Sequence, residues 1–447
     1  MALTSALGQF IADLSPNRIP DEAVRIAHMG IIDCIGTMIV GRTEPCTQIL
    51  KDTLAPGEGP ATLYFSGEQS SGPEAGWING TAAHALDFDD VALRGHPSTV
   101  LTPAILAEAE VLGASCRDML VAYIAGYETW AELVRRDVPM YHQKGFHPTG
   151  IFGAVGAAAA CAKLRKLDAD RTAIAIAIGA SQASGIMSNF GTMTKPFHAG
   201  KAAHSGIMAA RLAEAGMTAN TDALEHPQGF LSAVSPENNP DLAGDGKLGE
   251  DWAIIRHGLS IKKYPACYGT HRAIDAMLDL VGAHPVKLED VRKVSVHFSS
   301  LTSNVLRNRQ PDTGLAAKFS MEFAMASGLI AHRVSLSELT DPFVQRKDVQ
   351  DMMRLVERDL TDETDEANPG SAPWEQVKIE LVSGQVLESE QVTRARGHAE
   401  RPLTDSQLHE KFADCLTSSG SEIPADVLFG RLQSMPSISA RELTAVH

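Results

Sequence analysis

The sequence predicts a mainly α protein in which an α+β domain is inserted into a large all-helical one. Three observations carry this expectation. Ala- and Gly-rich segments of helical length follow one another up to about residue 260. Period-two alternation then appears in short runs between about 290 and 392, and a helical pattern returns after Arg401-Pro402-Leu403. The expected boundaries are 1–262 with 397–447 for the all-helical domain and 263–396 for the α+β domain. A chain of 447 residues is long enough for two or three domains.

In the first half, Pro20 suits a first helical position, and Asp21 and Glu22 favour the positive end of the helix dipole. Val24, Ala27, Ile31, Cys34 and Ile35 recur at three- and four-residue spacing, and Gly41 can end that helix. Leu101–Gly113, Arg117–Val134, Thr149–Leu164, Asp170–Met187 and Ala202–Ala215 read as further helices. Gly150, Gly153 and Gly156 fall every third residue, a smooth stripe for close helix packing and no GxGxxG dinucleotide motif.

In the second half, Val291–Ser299 alternates Val294, Val296 and Phe298 against polar neighbours, a half-buried strand. Val377–Val382, the turn Ser383-Gly384 and Gln385–Val392 read as a hairpin. Helices are expected near Ala316–His332 and Val349–Arg358, and again over Thr404–Leu416 with Thr404 or Asp405 as cap. The tail from Ser418 is expected to drape over the surface.

Charge and cysteine content narrow the function. Hydrophobic residues make up 44% and charged residues 21%, which is globular composition, and the formal net charge is −16. Such a surface repels nucleic acid and anionic lipid, so neither is expected as a partner. An acidic substrate would need a local cluster of Lys, Arg and His. The six cysteines are scattered with no CxxC, and read as reduced thiols. The first twenty residues lack a basic n-region and a long apolar run, and no apolar stretch approaches 18 residues, so a cytoplasmic location is expected.

Five polar segments carry chemistry. Asp87-Phe88-Asp89-Asp90 precedes Arg94-Gly95-His96-Pro97-Ser98. Three carboxylates in four residues admit a metal site, a solvated helix end, or one functional acid with two structural ones. Val91, Ala92 and Leu93 supply none of the alternating oxygen donors that a divalent site uses, so no metal is expected. Both His96 and His147 stand before prolines, on loops that open helices, and Thr149 offers a cap. Lys195, before Pro196, is expected in extended backbone, aimed into a pocket from the front of an Ala-rich helix. Lys262-Lys263-Tyr264-Pro265-Ala266-Cys267 leads to His271, and Ala317-Lys318-Phe319 leads to Ser320 at a helix start. Cys267 reads as a packed thiol, because nothing assigns it a base. HExxH, GxSxG, a P-loop and zinc-spaced His–Cys sets are all missing from the sequence. The remaining inventory is that of general acid–base chemistry and anion binding.

Six motifs in order, NGTAAHALDFDD, GHPS, GFHPTGIFG, GTMTKPFHAGKAA, KKYPACYGTHRAID and AKFSMEFA, resemble the MmgE/PrpD family over nearly the whole chain. That family contains 2-methylcitrate dehydratase, cis-aconitate decarboxylase and iminodisuccinate epimerase. The resemblance implies a helical domain with a smaller α+β lid domain, a cleft between them, a homodimer and no cofactor. It places Asp87, His96, His147, Lys195 and Lys262 in the catalytic site, with Lys263 as the alternative to Lys262. Arg94, Lys263, His271 and Ser320 are the expected substrate-binding residues. The implied task is removal of a proton beside a carboxylate of a small polycarboxylic acid. A 2-methylcitrate-like hydro-lyase leads, an epimerase of a substituted succinate follows, and a decarboxylase with His96 as proton donor is the third outcome. The chain departs from the decarboxylase pattern by having Val91 where DFDD is followed by Thr, and RGHPS after a shorter loop. A non-catalytic carboxylate-binding protein is the competing class, and retention of the whole His/Lys/Asp set argues against it.

Overall fold

The computed structural model describes residues 2–137, 141–246, 248–366 and 370–445. The chain divides into two compact units, Met1–Ile261 with Leu408–His447, and Lys262–Gln407. The architecture is mainly α, with the strands of the second unit forming one small mixed sheet.

The first unit is built from helices Asp21–Gly41, Gly72–His84, Ser98–Leu112, Cys116–Arg135, Pro148–Leu164, Ala169–Ser181 and Thr194–Glu214. Helix Asp21–Gly41 is long and apolar enough to cross a membrane, yet 72% of its apolar window is buried within the protein. It is a core helix. The small-residue stripe lets helices meet backbone to backbone: a Cβ on Gly126 would lie 2.8 Å from the Gly156 carbonyl oxygen. Likewise a Cβ on Gly80 would lie 2.8 Å from Gly200 Cα, joining helix Gly72–His84 to helix Thr194–Glu214. Those two helices carry site residues at their ends, so the close approach bears on function.

Several boundaries differ from expectation. The segment read as Asp170–Met187 stops at Ser181, and the one read as Ala202–Ala215 begins eight residues earlier, at Thr194. Lys195 therefore lies in the first helical turn and not in extended backbone. Pro196 is tolerated there because first-turn N–H groups have no partner within the helix. Thr149 does not cap its helix: His147 is the N-cap residue and Pro148 opens the helix. The tail from Ser418 is folded in, with helices Ala425–Gln433 and Ala440–Thr444 burying Leu428, Phe429, Leu432 and Leu443.

In the second unit, strand Val291–Ser299 runs antiparallel to Gln376–Leu381 and parallel to Val356–Thr361. Gln376–Leu381 pairs in turn with Val386–Glu388 as the expected hairpin. Val294, Val296, Phe298, Val377 and Ile379 are buried, as the alternation requires. The helix expected over Val349–Arg358 is helix Lys347–Met353 followed by strand Val356–Thr361. Arg358 on that strand is buried in a pair with Glu322, Nη2 to Oε2 at 2.7 Å. The helix expected over Ala316–His332 is two, Gly314–Ala317 and Met321–Ala331. Among the described residues the cysteines are free thiols.

Candidate active site

The loop between helices Gly72–His84 and Ser98–Leu112 builds the centre of the site. Asp87, Leu93 and Arg94 take left-handed backbone, with φ of 53°, 49° and 63°. Leu93-Arg94 is the tip of a two-residue hairpin closed by Ala92 and Gly95, whose N–H groups donate to each other's carbonyls at 3.0 and 2.9 Å. Such turns favour Asn-Gly, so Leu-Arg here stores strain on the order of 1–3 kcal/mol per residue. The hairpin is followed at once by His96, whose backbone N–H donates to Thr149 Oγ1 at 3.2 Å. Thr149 thus ties the two His-Pro loops together.

His96 is oriented from its Nδ1 side. That nitrogen lies 2.8 Å from the Asp90 carbonyl oxygen, which can only accept, so Nδ1 carries the proton. Asp89 Oδ2 also faces it, at 2.6 Å. Nε2 is left 3.8 Å from Asp87 Oδ1. Asp87 Oδ1 in turn accepts from Lys195 Nζ at 2.8 Å. Lys195 reaches in from the first turn of its helix, over the face of Phe190. Asp87, His96 and Lys195, separated by up to 108 residues in sequence, are therefore adjacent.

His147 lies beside them. Its ring stacks near His84 at 6.1 Å and meets Phe190 edge-on at 4.7 Å. Its Nδ1 is 3.1 Å from Nδ1 of His198. Two imidazole nitrogens at that distance share one proton, so both rings cannot be charged together. Burial, with His84 and Lys195 adding, pushes the His147 imidazolium far down, and burial and Lys195 lower His198 as well. His147 is a neutral ring at physiological pH.

Two histidines of this constellation, His84 and His198, were not among the expected residues. His84 is fully buried, and its Nδ1 lies 2.9 Å from Asp89 Oδ1. Burial pushes the His84 imidazolium down to about 4, although Asp89 opposes the shift. For Asp89, burial works to raise the carboxyl, but His84 and His96 overcome it and hold it well below the usual range. The available signals were the His five positions before Asp89 and the His three positions after Lys195.

The donor atoms of His84, Asp87, Asp89 and His96 lie within 4.8 Å of one another, a spacing that metal sites also show. Here both Nδ1 atoms face oxygen acceptors and Asp87 faces an ammonium group. A divalent cation would have to displace these bonds and sit against Lys195. The donor set fits proton transfer better than metal ligation.

Arg94 donates from Nη1 to the Asp137 carbonyl at 3.0 Å, and its guanidinium lies 5.8 Å from the Tyr141 ring. Lys262, Lys263, His271 and Ser320 belong to the second unit. Lys262 is buried and Lys263 half-buried. His271 is buried against Tyr264 and Tyr268, its Nε2 3.2 Å from the Ala266 carbonyl. Ser320 Oγ accepts from Phe323 N–H at 3.1 Å, a helix cap.

Residues 5–243 match the MmgE/PrpD N-terminal domain and residues 264–428 the MmgE/PrpD C-terminal domain. The chain belongs to the MmgE/PrpD family. It is 26% identical to cis-aconitate decarboxylase of Mus musculus over 432 residues, covering 92% of this chain and 86% of that protein. The Homo sapiens cis-aconitate decarboxylase matches at 26% identity, covering 92% of this chain and 87% of its own length. For the Aspergillus terreus cis-aconitate decarboxylase the values are 26%, 92% and 88%. The MmgE/PrpD match spans both units, and the clustered Asp87, His96, His147 and Lys195 lie within the N-terminal part of it.

Proposed function

We propose that this MmgE/PrpD protein is a cofactor-independent lyase that moves a proton beside a carboxylate of a small polycarboxylic acid. The observation that carries the reading is the adjacency of two pairs, His96 held at Nδ1 and Lys195 on Asp87. The first pair leaves Nε2 to exchange a proton. The second holds a positive charge where a substrate carboxylate would bind and where charge develops as the α-proton leaves. Neutral His147 is a second imidazole beside them, able to hydrogen-bond to substrate and to relay the proton it shares with His198.

The net charge of −16 gives this arrangement a purpose. A polyanion approaching such a surface is held only where cations are concentrated, and Lys195 supplies one. Once the carbanion has formed, expulsion of a β-hydroxyl gives water and an alkene. Loss of carbon dioxide from a β,γ-unsaturated acid leaves an allylic carbanion that a protonated His96 can quench.

Elimination from a 2-methylcitrate-like hydroxy acid is the leading outcome. Val91 supports it, since the apolar side chain leaves a hydroxyl missing from the decarboxylase pattern. Decarboxylation of cis-aconitate is the second reading, favoured by the names of the relatives. Incubating the purified protein with 2-methylcitrate and following alkene absorbance tests the first. Trapping carbon dioxide released from cis-aconitate tests the second. Deuterium washing into the α-carbon of iminodisuccinate without elimination would replace both with epimerisation. No exchange or turnover with any di- or tricarboxylate in heavy water would overturn the class.

A further inference from the structure

His84 has no place in the reaction proposed above, yet its side chain is enclosed within the cluster. It ends helix Gly72–His84, is fully buried, and has Nδ1 2.9 Å from Asp89 Oδ1. Its ring lies 4.4 Å from that of His96, and its Nε2 has no hydrogen-bond partner among the described residues. A buried nitrogen left without a partner is uncommon and calls for an explanation. Asp89 is equally buried, and its second oxygen faces His96 Nδ1 at 2.6 Å. One carboxylate therefore serves two imidazoles, and His96 turns its Nε2 toward Asp87, at 3.8 Å.

We propose that His84 is a positioning residue for His96, acting through Asp89: it pins the carboxylate so that its charge faces His96 Nδ1 and the ring is held with Nε2 turned to the site. The role rests on the reading of His96 as the group that exchanges a proton with substrate. The Asp90 carbonyl already fixes the tautomer of His96, so what remains for Asp89 is charge. An imidazolium forming at His96 is stabilised by an anion beside Nδ1, as in an Asp–His pair. Asp89 can supply that anion only while it stays ionised and correctly turned. His84 suits both needs because it donates a hydrogen bond while remaining uncharged, its imidazolium being pushed down to about 4. A lysine or arginine in its place would cancel the charge that His96 is meant to feel. The other charged or titratable groups around His96 are Asp87 near Nε2, with Lys195 bonded to Asp87, and His147, whose ring stacks on His84 at 6.1 Å.

The experiment uses full-length protein with ¹⁵N-labelled histidine, and follows the His96 ring nitrogens by NMR against pH. His84→Phe keeps the volume and removes the donor. It should lower the His96 midpoint by roughly one pH unit or more. His84→Asn, which can still donate to Asp89, should restore most of the shift. Asp89→Asn removes the charge directly and should reproduce the His84→Phe result, which keeps the test decisive if His84→Phe does not fold. With an acid that the protein turns over, kcat should fall about tenfold or more, with KM nearly constant, and the acidic limb of the pH profile should move with the His96 midpoint. A folded His84→Phe protein with an unchanged His96 midpoint would overturn the proposal. A shifted midpoint without any turnover would uphold it while counting against the lyase reading.

Discussion

Lys195 and Asp87, 108 residues apart, form an ion pair of 2.8 Å at the centre of the site. The two side chains are 16% and 38% exposed, so substrate can compete for the ammonium group. A pair at this exposure contributes little to stability, which leaves function as the reason for it. Replacing Lys195 by Met should therefore lower kcat/KM by about 10²–10³-fold while moving the melting temperature little. Steady-state kinetics on the acid that is turned over, with thermal melts alongside, checks this. A variant within tenfold of wild type would remove Lys195 from the charge-stabilising role.

His147 is expected to act as a neutral hydrogen-bonding ring in the site. Its N-cap position before Pro148 fixes its backbone, and the contact with His198 fixes its ring. His147→Ala should cost about 10²–10⁴-fold in kcat with the fold retained. His198→Gln, which keeps a hydrogen bond to Nδ1, should cost much less. Equal losses in the two variants, or none in either, would show that the shared proton has no part in turnover.

If the cluster of His84, Asp87, Asp89 and His96 works as a proton-transfer site, chelators should not affect it. Overnight dialysis against a strong chelator should leave the rate unchanged, and added Zn²⁺ or Mg²⁺ should not raise it. Loss of activity reversed by one divalent metal would show that the four side chains ligate it after all.

The reach of the sequence differed between scaffold and site. Strand Val291–Ser299 was legible to the residue because alternation and β-branched side chains coincide there. Strand Val356–Thr361 was not, because its pairing with that strand and the buried Arg358–Glu322 pair come from distant segments. Loop residues before prolines pointed to His96 and His147, and the DFDD run to Asp87, since extended backbone beside a helix start exposes a side chain for use. His84 escaped notice because it ends an Ala-rich helix, where a histidine looks like part of the core. Only the return of the chain at Asp89 makes it a partner.

Glu128 tests the electrostatics away from the site. Burial pushes its carboxyl up to about 7, against the pull of hydrogen bonds from the Ala253 and Ile254 N–H groups at 3.0 and 2.9 Å. Since the folded value lies above the unfolded one, the folded state binds the extra proton between about 4.5 and 7. Its stabilising share is complete below about 4.5 and is lost as pH rises through about 7. Glu128→Gln should abolish that slope, gaining on the order of 2–3 kcal/mol relative to wild type between pH 5 and 8 on top of a constant offset. Urea unfolding at several pH values measures it, and parallel curves for the two proteins would contradict the assignment.

Lys411 links the C-terminal segment of the first unit to the loop that carries Asp87. Its buried Nζ lies 2.5 Å from Asp33 Oδ1, donates to the Phe88 carbonyl at 2.7 Å, and sits 4.1 Å above the Phe88 ring. Removing the cation alone leaves Asp33 buried with its charge uncompensated, although burial already pushes its carboxyl up to about 6. Lys411→Met should therefore destabilise the protein by about 3–5 kcal/mol at neutral pH. Asp33→Leu combined with Lys411→Met should recover much of that loss, because an apolar pair removes the stranded charge. Stability and activity should then part company. The double variant still lacks the hydrogen bond that holds the Phe88 carbonyl, so the neighbouring Asp87, in left-handed backbone at φ 53°, loses its anchor. Turnover should stay depressed after stability is regained, and full recovery of both would mean that Lys411 serves the fold alone.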